Sequence, residues 1–61
     1  TDGEVKAEIE ALMDGKPIGM LHGMEREKRN AILKTIKASE GVTMRQIARV
    51  TGLNAMNIYR A

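Results

Sequence analysis

The chain has no cysteine, no tryptophan and no phenylalanine, and only one tyrosine, one histidine and one proline. Without cysteine there is no disulfide framework and no thiolate metal site, a composition compatible with a reducing cytoplasm. His22, the only histidine, has no metal-ligand spacing around it and reads as a surface or helix-entry residue, so no metal or other cofactor is expected. No apolar run approaches the roughly 20 residues that a membrane-spanning helix needs, and no charged stretch leads into a signal-like apolar segment. With so few aromatics the core must be aliphatic, and five methionines make it soft and of modest stability. No nucleophile–base pair or ligand set stands out, so an enzyme acting on a small-molecule substrate is not expected.

What is present is enough for one small domain. Sixty-one residues leave no room for a second core, and 43% apolar content argues against wholesale disorder. The net charge of +2 is unevenly spread. Residues 1–24 hold five acids and two bases, net −3, whereas residues 25–61 hold eight bases and three acids, net +5. That asymmetry fits a nucleic-acid partner for the basic part, although a solvated surface of mixed sign would look similar.

The periodicity predicts an all-α fold: a trihelical helix-turn-helix core over 24–61, preceded by an acidic helix and connector over 1–23. A first helix over about 3–14, capped by Asp2 and stopped at Gly15, carries Val5, Ile9, Leu12 and Met13 as one apolar stripe. Its Glu8 and Glu10 read as a solvated face. The connector Lys16–Gly23 is punctuated by Pro17 and two glycines, with Ile18, Met20 and Leu21 expected inside, in one short helical turn. A longer helix from Glu25 to about Ser39 buries Ile32, Leu33 and Ile36, and Glu25–Arg29 is spaced for an ion pair along it. This helix is expected to cross behind the last two and close the core.

The stretch TMRQIARVTGLNAMNIYRA, Thr43 to Ala61, organises the rest. Thr43 and Gln46 have capping-box spacing, Gly52 suits a left-handed helix end, and Asn54 is a good N-cap for a second helix. Ala48, four residues before Gly52, lets two helices approach closely, and Leu53 and Ile58 plug the corner. No acid lies between Val42 and Ala61, where Arg45, Arg49 and Arg60 do. This is the pattern of a helix-turn-helix, whose second helix enters the major groove of DNA. An ordinary helical hairpin with solvated basic residues is the plainer alternative.

At EREKRNAILKTIKASEGVTMRQIARVTGL the chain resembles the C-terminal region of HUH tyrosine transposase-like proteins, the REP-associated kind included. Arg29 and Asn30 match one part of the pattern. Glu40, Gly41, Val42, Thr43, Arg45, Gln46, Ile47, Ala48, Arg49, Thr51 and Gly52 match the other. The ending Ile58–Ala61 also resembles recognition helices of serine resolvases. The resemblance implies a bacterial, cytoplasmic DNA-binding domain, excised from a longer protein that takes part in DNA transposition. Such transposases cut single-stranded DNA in a separate domain, with a His-hydrophobe-His metal site and a nucleophilic tyrosine. This chain has no such histidine pair, and Tyr59 falls within the expected recognition helix, so neither is carried over.

On this reading Arg45 reaches a phosphate, with Thr43 and Arg49 as secondary phosphate contacts. Asn54, Ala55, Met56, Asn57, Tyr59 and Arg60 are the outward positions at or near the recognition helix. Asn57 suits adenine and Arg60 guanine, while Ala55 and Met56, where the resemblance leads one to expect Ser, Arg or Lys, offer only apolar contact. The expected partner is double-stranded DNA, bound by the chain alone or as a homodimer. The alternative from another class is a protein-docking or dimerisation module built on Met13, Met20 and Met24, which would expose an apolar patch on the acidic part.

Overall fold

The computed structural model describes residues 1–61, which form five helical elements and no strand. Helix α1 spans Asp2–Leu12, a 3-10 helix Ile18–Gly23, α2 Arg26–Lys37, α3 Met44–Thr51 and α4 Ala55–Arg60. The fold is all-α, as the periodicity predicts.

Thr1, not Asp2, caps α1. The Glu4 N–H donates to Thr1 Oγ1 at 3.3 Å and the Thr1 amino group donates to the Glu4 carboxylate at 2.9 Å, a reciprocal capping box. The side chain of Asp2 is drawn away to Arg49 instead. At the other end Asp14 and Gly15 both turn left-handed, with φ of 58° and 81°, and the Gly15 N–H returns to the Glu10 carbonyl. The helix therefore stops at Leu12. Its core-facing row is Val5, Ile9 and Met13, each four residues from the last, and Leu12 lies at the edge of that row and is 40% exposed. Leu12 is thus not the core residue the apolar stripe predicts.

The connector forms its helical turn as 3-10 helix behind Pro17, whose φ of −60° suits a helix entry. In this geometry residues three apart eclipse, so Ile18 and Leu21 share the inner side. Leu21 is fully buried, whereas Met20 is 51% exposed, contrary to the expectation of burial. Glu10 is not merely solvated either: its carboxylate accepts the Ile18 N–H at 2.9 Å and fixes where the 3-10 helix starts.

Helix α2 buries Leu33 and Ile36 and half-buries Ile32, and it ends at Lys37, two residues before Ser39. The Glu25–Arg29 ion pair does not form. Glu25 is extended (φ −56°, ψ 139°) and lies outside the helix, so helical spacing does not bring the two side chains together. Arg29 Nη2 donates to Asn30 Oδ1 at 3.4 Å instead, and its buried Nε has no partner.

The core is one cluster of nine residues: Val5, Ile9, Met13, Leu21, Leu33, Ile36, Ile47, Leu53 and Ile58. The first four belong to residues 1–23, so that segment shares a core with 24–61, and α1 packs chiefly on α3. Burial of each such side chain stabilises by about 1.5–3 kcal/mol, which a domain this small needs. A further tie between the halves is the Ser39 hydroxyl donating to the Glu8 carboxylate.

Candidate nucleic-acid interface

The two helices α3 and α4 are joined by Gly52, Leu53 and Asn54. At the start of α3 the Gln46 N–H donates to Thr43 Oγ1 at 3.1 Å, and the Thr43 N–H donates to Gln46 Oε1 at 3.0 Å. Gly52 ends α3 with φ 75° and its N–H donates to the Ala48 carbonyl at 2.9 Å. Asn54 Oδ1 then accepts the Asn57 N–H at 2.8 Å and starts α4. Ile47, Leu53 and Ile58 are buried at the corner. Each of these local features follows from the residue type at that position.

Two residues that carry no predicted contact hold this turn in place. Thr51 is 5% exposed, the only buried polar residue, and every polar group it has is used. Its hydroxyl donates to the Ile47 carbonyl at 2.6 Å and accepts the Leu53 N–H at 3.2 Å. Its carbonyl, left over at the helix end, accepts from His22 Nε2 at 2.8 Å. Because a carbonyl can only accept, that bond selects the His22 tautomer with the proton on Nε2. The same ring lies 3.5 Å from where a side chain on Gly52 would begin. His22 is exposed, as a surface residue should be, but its position at the far end of α3 is not visible from its sequence neighbours. Lys37 does the corresponding work for α4, donating to the carbonyls of Tyr59 at 3.2 Å and Ala61 at 2.8 Å.

Eight of the nine candidate contact residues fall into three groups. Thr43 and Asn54 are exposed, but their side-chain oxygens are occupied as helix caps. Arg49 is exposed and paired: its Nε and Nη2 donate to the two carboxylate oxygens of Asp2 at 2.6 and 2.9 Å, a bidentate fork across 47 positions of sequence. That hydrogen bond holds the Asp2 carboxyl below its usual range and raises the Arg49 guanidinium above its own. The third group is free. Arg45 and Arg60 are exposed and make no ion pair, and Ala55, Met56 and Tyr59 are exposed beside Arg60 on α4. Asn57 is half-buried on a different side of that short helix.

The three methionines of the docking alternative differ in exposure. Met13 is buried in the core, Met24 is half-buried and only Met20 stands out. Two adjoining clefts of about 520 and 380 Å³ share Lys16, Met24 and Lys28 as lining, with Leu12 at one and Met20 at the other. Asp14 and Glu25 offset the two lysines there. No helix is long and apolar enough to cross a membrane. Compared with protein-family models, with curated proteins and with solved structures, the chain matches none.

Proposed function

We propose that the chain is a DNA-binding helix-turn-helix domain that acts on double-stranded DNA and carries no catalysis of its own. The observation that carries this reading is the contrast between the capped, buried inner side of α3–α4 and an outer side on which Arg49 alone is tied to the rest of the fold. Arg45 and Arg60 stand there unpaired, in a stretch without a single acid from Val42 to Ala61. Cations in that setting neutralise phosphates and release their counterions. α4 is the element whose exposed side chains reach base edges, and the first turn of α3 with Arg45 lies on the backbone. The resemblance over Glu25–Leu53 favours a cytoplasmic, transposase-related parent whose strand cleavage belongs to another domain.

The test is a fluorescence-anisotropy titration of a mixed-sequence duplex at several salt concentrations. Binding whose log affinity falls linearly with log salt, with a slope of about 0.9 per phosphate contact, supports the reading. A folded domain that binds no duplex at low salt overturns it.

A further inference from the structure

Helix α4 has little hydrogen-bonding capacity left for reading bases. Asn54 is spent on capping the helix, Asn57 is half-buried, and Arg49 on the preceding helix is held by Asp2. What α4 presents instead is apolar. Met56 is 54% exposed and Tyr59 70% exposed, and they are two of only four large apolar side chains so exposed in the molecule. They lie three positions apart, with Ala55 four positions before Tyr59 and Arg60 four after Met56, so all four share one helical face. No core or neighbouring element covers that face. An apolar strip of this kind with a cation at its edge complements a surface that is methyl-studded and flanked by negative charge.

We infer that this face recognises the 5-methyl groups of thymine in the major groove, with Met56 and Tyr59 supplying the contacts and Arg60 the adjoining polar one. The inference rests on the duplex-DNA reading above and deepens it, since it names what the recognition helix selects. Thymine is the only standard base with an apolar group at the major-groove edge. Arg45 and Arg60 satisfy the charge of the flanking backbone, and the domain's preference then follows the number and spacing of thymines more than any hydrogen-bond code.

The probes are a short A·T-rich duplex and the same duplex with deoxyuridine in place of each thymidine, which removes the methyl groups alone. The expected result is tighter binding of the thymidine duplex by about fourfold for each methyl group buried. Met56→Ala and Tyr59→Ala should each bring the ratio toward unity while the salt slope stays as it was. Both side chains are exposed, so neither substitution disturbs the core. Equal affinity for the two duplexes overturns the inference but leaves DNA binding intact. A ratio that survives both substitutions also overturns it, by assigning the preference to duplex shape. Failure to bind either duplex at low salt takes down the DNA reading itself.

Discussion

Residues 1–23 and 42–61 use their charged side chains in opposite ways. In the first segment Asp2 grips Arg49, Glu8 accepts from Ser39 and Glu10 accepts from Ile18, so three of five acids hold other parts of the fold. In the second, Arg45 and Arg60 pair with nothing, and the interior is secured by caps and apolar contacts. An acidic segment beside a basic one therefore does not make two modules here. The acidic part is the scaffold, and its tie to Arg49 leaves Arg45 and Arg60 as the unpaired cations of α3 and α4.

The largest effect that would break this comparison concerns the shared core. Ile9 on α1 and Ile47 on α3 are both fully buried. Ile9→Ala and Ile47→Ala should each cost about 2–5 kcal/mol, read as a shift of the urea midpoint with little change in slope. If Ile9→Ala costs under about 1 kcal/mol while Ile47→Ala costs the full amount, α1 is an appendage and the scaffold role is lost.

The two arginines of α3 sharpen the comparison on the binding side. Arg45→Ala should weaken duplex binding on every sequence alike and lower the salt slope by about 0.9, the share of one phosphate contact. Arg49→Ala should change the slope less, because Asp2 already neutralises that guanidinium. Asp2→Asn frees Arg49 and should raise both affinity and slope toward the value expected with one more contact. Identical slopes for Arg45→Ala and Arg49→Ala would show that DNA displaces Asp2 without cost.

His22→Ala removes the bond that satisfies the Thr51 carbonyl at the far end of α3, and should cost about 1 kcal/mol in thermal unfolding. His22→Gln, which keeps an N–H donor, should recover part of it. A null result would mean that the Thr51 carbonyl is served equally well by water.

Local chemistry was legible in the chain, and distant pairing was not. Thr43 with Gln46, Gly52, and Asn54 each satisfy a helix end within four residues, so their types alone announce the turn. His22 with Thr51, Lys37 with the end of α4, and Asp2 with Arg49 join positions 22 to 47 apart, and nothing in their immediate neighbours marks them. Leu12 and Met20 failed for a subtler reason. Apolar spacing says which residues share a face, but the exact line of the core, and the 3-10 winding of the connector, decide which of them lies inside. Arg49 reads as a free cation in the sequence because its partner lies at the other end of the chain.

The smallest effect is the pH dependence of that same pair. The hydrogen bond from Arg49 lowers the Asp2 carboxyl below its ordinary value, and the amino group of Thr1 does the same for Glu4. A carboxyl whose folded pKa lies below its unfolded value binds protons more readily in the unfolded chain. Its contribution to stability is therefore complete at neutral pH and is lost as the pH falls through the folded value. Both groups are open to water, so the loss is shallow and salt-sensitive. Asp2→Asn should lower stability slightly at neutral pH, by the amount the parent loses through this group on acidification, flatten the decline below about pH 4, and make that decline less dependent on salt. The measurement is a set of urea midpoints between neutral and acid pH at low and high salt. An acid limb as steep in Asp2→Asn as in the parent would mean that the fork is not populated in solution. Arg49 would then be as free as Arg45, and the outer side of α3 would carry two phosphate contacts rather than one.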